Sequence, residues 1–426
     1  MEQQAIYAIA IFVIAYGLIV SDKIHRTIVA MLGGIAVVAF GIVDVNSAIE
    51  SYIDFNTLGL LIGMMIIVGV TAKSGLFSYI AVIAAKRARG EPVRIMLALA
   101  VVTAVASAFL DNVTTVMLIV PVTFSLARQL QVSPYPFLFS QIIASNIGGT
   151  ATLIGDPPNI MIGSAVEELT FMAFIDNLAP IVVVIIAVHL PLFRLLFRGD
   201  LRTTEERKSD VMDLDAGALL TDIPLLWKSL VILALTVIGF FLHGVIHVES
   251  SVMALAGAFL LLLLAGEHAM EEALTRVEWT TIFFFVGLFT LVGGLVDTGI
   301  IRDLAVQAID LTGGNVAATA MLVLWMSAVF SAFMDNIPFV ATMIPLIQEM
   351  GALGVNDLEP IWWSLALGAC LGGNGTLIGA SANLVTAGLA AKEGYPITFV
   401  KFMKLAFPLM LLSVAICSVY IYLRYL

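Results

Sequence analysis

"SAFLDNVTTVMLIVPVT", residues 107–123, and "SAFMDNIPFVATMIPLI", residues 331–347, decide how this chain is read. Each sets an Asp-Asn pair inside a long apolar stretch, Asp111-Asn112 in the first and Asp335-Asn336 in the second. Seven of the 17 aligned positions are identical. The same offset of 224 residues aligns "GGTATLIGDPPN", 148–159, with "GGNGTLIGASAN", 372–383, at seven identities in 12. It also pairs Gly63 with Gly287, Gly69 with Gly293 and Gly75 with Gly299, with no gap between Gly63 and Asn383. Apolar composition alone does not generate matched Gly, Asp, Asn and Thr, so the chain carries an internal duplication.

Of the 426 residues, 61% are hydrophobic and 12% charged, where a soluble domain carries about 25% charged residues. Apolar runs recur at 5–20, 28–43, 58–72, 181–190 and 230–242. A helical bilayer crossing takes about 20 mostly apolar residues. The chain therefore reads as an all-α, polytopic membrane protein. Its first run opens with Glu2 and lacks a small-residue cleavage pattern, so it reads as a span rather than a secretory signal. Two cysteines, Cys370 and Cys417, supply no disulfide framework. The net charge of −11 says little, because topology follows the placement of Lys and Arg.

A charged, apolar-poor stretch at 199–222 reads as a solvated loop between two membrane halves. The organisation is a first repeat at 1–196, a linker at 197–228 and a second repeat at 229–426. In the first half, crossings are expected at 5–22, 26–43, 55–72, 134–165 and 170–196, with an interfacial segment at 74–90. Apolar arms at 93–109 and 113–130 then flank Asp111-Asn112 as a re-entrant hairpin. Five crossings per half invert the second repeat relative to the first. With the N-terminus outside, all but Arg302 and Arg424 of the 20 Lys and Arg residues fall on the cytoplasmic side, the linker's among them. The expected location is the inner (cytoplasmic) membrane.

Irregular backbone at membrane depth needs protein or water around it, and inverted repeats with broken helices meeting near the midplane are the architecture of secondary transporters. In the first half Gly148, Gly149 and Gly155 precede Pro157-Pro158, and proline suits the first turn of a new helix. Free N–H groups would then lie beside Asp156 and Asn159. In the second half the break is made by Gly372, Gly373, Gly375 and Gly379 alone. The hairpin turns would bring Asp111 and Asp335 to one depth from opposite sides. A carboxylate in the membrane interior marks function by default, so Asp111, Asp156 and Asp335 are the candidates for proton or ion coupling. Asp is also a favoured N-cap, and a capping role is compatible with coupling.

Neutral polar residues complete the set: Asn112, Thr114 and Thr115 with Asn336 at the hairpins, and Thr150, Thr152 and Asn159 with Asn374, Thr376 and Asn383 at the breaks. At the hairpins, tip hydrogen bonding and substrate contact both remain open. The halves diverge where Asp156 aligns with Ala380, Thr150 with Asn374, Pro157 with Ser381 and Asn146 with Cys370. The first half is expected to carry more of the ion chemistry. His189 reads as packed, and His243 and His247 as interfacial. No Walker A sequence, metal-spaced His/Cys cluster or nucleophile elbow occurs, so no enzyme, cofactor, metal or nucleic-acid partner is expected.

At these hairpin and broken-helix motifs the sequence resembles the ion transporter superfamily. That group holds arsenite permeases (ArsB), NhaD-type sodium/proton antiporters, the melanosomal P protein and divalent anion/sodium symporters. The resemblance implies a scaffold domain plus a transport domain that moves as an elevator, often in a dimer. In the symporters the hairpin tips carry Ser-Asn-Thr, whereas the matching positions here are Asp111-Asn112-Val113 and Asp335-Asn336-Ile337. A tip carboxylate would repel an anion, which favours the proton-coupled branch. The resemblance implies export of arsenite or antimonite in exchange for protons, with Cys370 either a soft As(III) contact or an inert buried thiol. Sodium/proton antiport and a passive channel are the alternatives. A soluble ATPase docked on the linker side is a further partner that it allows. Electrogenic exchange would draw about 2.3 kcal/mol per charge per 100 mV.

Overall fold

The computed structural model describes residues 2–21, 23–246 and 248–426. His247 lies outside the described residues, as does the side chain of His243. Helices dominate, and among the described residues there is no strand. The first half runs α1 (Glu2–Ser21), α2 (Arg26–Ala39), α3 (Val45–Ser47) continuing into a wide turn at Ala48–Tyr52, α4 (Phe55–Ala72) and α5 (Leu76–Arg87). It goes on with α6 (Pro92–Phe109), α7 (Asn112–Leu130), α8 (Tyr135–Gly149), α9 (Pro157–Ala165) and α10 (Phe171–Phe197). The linker contains α11 (Glu205–Met212). The second half repeats the order: α12 (Ile223–Ile246), α13 (Ser250–Ala265), α14 (Glu267–Arg276), α15 (Trp279–Asp297) and α16 (Ile300–Thr312). Then follow α17 (Val316–Phe333), α18 (Asn336–Ala352), α19 (Glu359–Gly372), α20 (Ser381–Lys392) and α21 (Phe399–Tyr425). From α4 to α9 every helix start reappears 224 residues later in α15 to α20.

Among the described residues nine helices are long and apolar enough to cross a membrane. The crossing expected at 26–43 is shorter as a helix: α2 has 14 residues, about 21 Å at 1.5 Å per residue. It stops because Gly41 adopts φ +65°, the left-handed region that ends helices. Asp44 then caps the next turn through the backbone N–H of Asn46 at 2.9 Å. Gly75 and Gly299, repeat mates, use the same freedom, both taking φ 79° to launch α5 and α16.

The halves interlock by crossing. Helix α4 lies against α13, and α2 against α15. A Cβ on Gly63 would stand 2.6 Å from the carbonyl carbon of Ala254, and one on Gly287 2.5 Å from that of Ala30. Ala254 and Ala30 are themselves repeat mates, so one contact is made twice. Small residues that admit a neighbouring backbone are how helices associate when lipid removes the hydrophobic drive. The hairpins use the same device: Gly148 sits on the backbone of Ala104, and Gly372 on that of Ala328.

The breaks between α8 and α9 and between α19 and α20 follow from local chemistry. Pro157 and Pro158 occupy the first turn of α9, where a missing N–H costs nothing. The freed carbonyls of Thr150 and Thr152 accept from Asn159 Nδ2 at 3.2 and 2.9 Å. In the second half Asn383 Nδ2 donates to Gly373 and Thr376 carbonyls, both at 2.8 Å, without any proline. Ser107 Oγ donates to the Ser145 carbonyl at 2.7 Å, and its mate Ser331 to that of Ala369 at 2.6 Å. Thr152 and Thr376 hydroxyls donate to the Ala108 and Ala332 carbonyls. Buried backbone groups must be paired inside a membrane, and each half solves this with the same side chains.

The linker is more than a solvated loop. Lys208 Nζ pairs with Glu91 at 2.7 Å and Glu205 at 2.8 Å, and these hydrogen bonds, Glu205 foremost, raise its pKa. Lys86 Nζ donates to the Leu214 carbonyl at 2.7 Å, and Gln129 Nε2 to that of Asp210 at 2.8 Å. The stretch is thereby fastened across the ends of α5, α6 and α7.

Candidate functional site

Each hairpin turn is organised by its own carboxylate. Helix α6 ends at Phe109, and Asp111 caps α7 by accepting from the backbone N–H of Thr114 at 2.8 Å and its hydroxyl at 2.5 Å. Asp335 caps α18 through the backbone N–H of Ile337 at 3.1 Å. Both are buried, at 8% exposure. The cap alone would leave one oxygen of Asp335 free. That oxygen instead accepts from Ser381 Oγ at 2.9 Å and forms an ion pair with Arg26.

The two tips meet. Asn336, from the second hairpin, donates Nδ2 to both oxygens of Asp156 at 3.3 Å, and Asp156 belongs to the first half's break. Asp156 is 1% exposed and stands at the N-cap of α9 without spending its side chain on that cap. Asp111, Asn112, Asp156, Glu278, Asn336 and Ser381 line one cavity of about 20 Å³, room for roughly one water. Among the described residues no three His, Cys, Asp or Glu side chains are grouped to hold a metal ion.

A chain of amides runs inward from this cavity. Asn112 Nδ2 donates to Asn146 Oδ1 at 3.1 Å, and Asn146 Nδ2 donates to Asn374 Oδ1 and Asn383 Oδ1, both at 2.9 Å. Two residues from each half thus share one buried network. Cys370, the repeat mate of Asn146, is buried and donates its thiol to Asn159 Oδ1 at 3.5 Å.

The profile of the CitMHS family, described as citrate transporter, matches residues 16–368. The chain belongs to that family. This CitMHS protein is 46% identical over 426 residues to the uncharacterized transporter Rv2684 of Mycobacterium tuberculosis, covering 99% of both chains. It is 35% identical over 502 residues to the P protein of Mus musculus, covering 99% of this chain and 60% of that one. Among solved structures it is similar to the YdaH transporter of Alcanivorax borkumensis, with TM-score 0.60 and 15% identity over 90% of both chains. That likeness is one of fold. The CitMHS protein is an all-helical, multi-pass membrane transporter with paired hairpins and broken helices.

Of the side chains expected at the site, Asp111, Asp156, Asn112 and Asn336 line the cavity of this CitMHS protein, and Asp335 lies beside it. The others lie elsewhere. Thr150 Oγ1 donates to the Asn146 carbonyl at 2.7 Å, and Thr114 serves the Asp111 cap. Thr115 is buried with no hydrogen-bond partner. Thr152, Thr376, Asn159 and Asn383 brace the breaks, and Asn374 belongs to the amide network. His189 is packed, with Nδ1 at 2.8 Å from the Ile185 carbonyl.

Four residues are absent from the expected site, Ser381 of α20 among them. Glu278 lines the cavity from the start of α15, and its repeat mate Asp54 caps α4, so the offset of 224 could have exposed the pair. Asn146 was visible only as a mismatch with Cys370. Arg26 looked like one more cation of the topology signal. Its guanidinium lies 5.0 Å over the Phe284 ring and pairs with Asp335.

Proposed function

We propose that this protein exchanges a small solute for protons, with Asp111 and Asp156 as the coupling carboxylates. The observation that carries this reading is the junction of halves: Asp156 of the first bonded to Asn336 of the second, across the cavity that Asp111 also lines. A site built at the meeting of two repeats is opened or closed by moving one body against the other. In this reading 1–196 and 229–426 are inverted repeats in the inner membrane, with the N-terminus outside and 197–228 in the cytoplasm.

Arsenite or antimonite is the solute that the resemblance implies. Its neutral trihydroxide needs hydrogen-bonding groups such as Asn112 and Asn336, and it is not repelled by carboxylates. Citrate, the solute in the family's description, would meet Asp111, Asp156 and Glu278. Exchange of sodium for protons is the second reading, and one observation favours it. The cavity of about 20 Å³ fits a bare cation or a water, so arsenite would need a wider conformation.

The test is the purified protein in liposomes under an imposed pH gradient, with internal pH followed on adding arsenite, antimonite, Na⁺ or citrate. Proton movement evoked by arsenite and lost in Asp111→Asn supports the metalloid exchange. A response to Na⁺ alone replaces arsenite by sodium. A response to citrate alone overturns both solutes. Flux that no proton gradient drives uphill would make the protein a channel.

A further inference from the structure

The duplication gives both hairpins the same carboxylate, but only one of them faces a fixed cation. Arg26 opens α2 in the first half and pairs with Asp335 on the second hairpin. Its mate at the offset of 224 is Ser250, and the mate of Ser381 is Pro157. Neither Ser250 nor Pro157 can give Asp111 a charge. Among the described residues no ion pair reaches Asp111 or Asp156.

Arg26 is anchored to the crossing helices rather than to the hairpin. It stacks over Phe284 of α15, and the neighbouring Thr27 hydroxyl donates to the Thr280 carbonyl at 2.8 Å. Asp335 is held through its own helix α18 and by Ser381 of α20. The pair therefore joins α2 and α15 to α18 and α20. Arg26 is 24% exposed along its side chain and Asp335 7%, so water competes for the arginine more than for the carboxylate. A guanidinium cannot be deprotonated in a protein, which makes Arg26 a permanent occupant wherever geometry lets it reach.

We infer that Arg26 is a tethered cation that fills the second hairpin's carboxylate in this conformation. It keeps protons and small cations off Asp335 while leaving Asp111 open to them, and it withdraws when the hairpin moves past α2. Arg26 is thus a specificity-determining residue: it turns two equal carboxylates into one exchangeable site and one latch. The groups facing Asp335 are Arg26 from α2 and Ser381 from α20. Glu278 of α15, Asp111 of the first hairpin, and Asp156 through Asn336 stand next to them. A bare Asp335 would make this cluster strongly cation-seeking. The inference uses only the contacts of Arg26 and Asp335 and holds for either solute.

The experiment reads binding rather than transport. The melting midpoint of the full chain in detergent is followed against Na⁺ at constant ionic strength, and against pH from about 5.5 to 8.5. Na⁺ and protons themselves are the probes, because a ligand stabilises what binds it. Arg26→Gln is expected to gain a rise of a few degrees with Na⁺ or acid beyond that of the parent, and the gain is expected to vanish in Arg26→Gln/Asp335→Asn. Arg26→Lys should restore the parental profile. A gain that survives in the double variant, or no gain at all, overturns the proposal. Should Arg26→Gln fail to fold, the single variants decide. Asp111→Asn should flatten the parent's response while Asp335→Asn leaves it, and equal loss in both overturns the latch. Absence of arsenite transport would not touch this result.

Discussion

Asp111 and Asp335 cap the same turn in two copies of one hairpin, with near-identical neighbours in sequence. The first answers to its own helix alone, while the second is claimed by an arginine and a serine from other elements. Duplication supplied the geometry twice: the hairpin, the glycine crossing and the carbonyl-bracing asparagine recur at matched positions. What differs is the set of facing groups, Arg26 against Ser250, Ser381 against Pro157 and Ala380 against Asp156. An inverted repeat that must alternate needs equal frames, and one that must couple needs unequal chemistry inside them.

The sharpest way to break this comparison is to neutralise each tip in turn. Asparagine is as good an N-cap as aspartate, so Asp111→Asn should fold and keep its hairpin. Proton-driven flux in liposomes should fall to the background of empty liposomes, as expected for an intramembrane carboxylate with a coupling role. Asp335→Asn should lose less flux and more stability, because Arg26 would remain half-buried without its partner. A cost on the order of 2 kcal/mol lies between the ranges for exposed and buried pairs. Unfolding in a denaturing-detergent titration measures it. Equal flux in both variants would make the tips equivalent after all.

A second pair of mates tests the amide network. Asn146→Ala would strip partners from Asn112, Asn374 and Asn383 at once. Leaving buried amides unsatisfied should cost about 2 kcal/mol in the same titration, the middle of the range for one such group. Cys370→Ala removes one long thiol contact and should be nearly neutral. If the cysteine variant were the more damaging, the polar centre would lie in the second half.

How far the sequence reached depends on the kind of information each feature needs. The duplication and the breaks were legible because glycine and proline have few structural meanings inside apolar runs. The length of α2 was not, since "LGGIAVVAFGIV" gives no sign that Gly41 would turn left-handed and stop the helix. The orientation of the break threonines is a matter of geometry rather than chemistry. Whether Thr150 or Thr152 points at a cavity or at a carbonyl depends on the rotation of a helix end, which a linear pattern does not set. Arg26 and Glu278 lie outside the two segments aligned without a gap, 63–159 and 287–383. Glu278 could have been reached through its mate Asp54, but the significance of Arg26 arises only when α2 crosses α15, a contact between halves that no local pattern announces.

The smallest effect is expected where the repeat has kept a contact and changed its chemistry. Lys73, at the end of α4, pairs with Glu272 of α14 at 2.5 Å. Its mate Asp297, at the end of α15, accepts a hydrogen bond from Tyr52 in the turn after α3. Each half ties the end of a crossing helix to the element before the other half's crossing helix, once by charge and once by a phenol. The Lys73 hydrogen bond holds the Glu272 carboxyl below the usual carboxylate range. A carboxyl depressed in the folded state adds stability above its unfolded pKa, about 4.3 for glutamate, and that contribution is lost as pH falls through the folded value. Exposed ion pairs contribute little and are screened by salt. Glu272→Gln should therefore lower the melting midpoint slightly at pH 7 and low salt, and the difference should close by about pH 3 or in high salt. Tyr52→Phe removes an uncharged donor and should show no such closing in salt. A Glu272→Gln deficit that persisted in acid would mean that the side chain acts through packing, and the two ties would then be alike in kind.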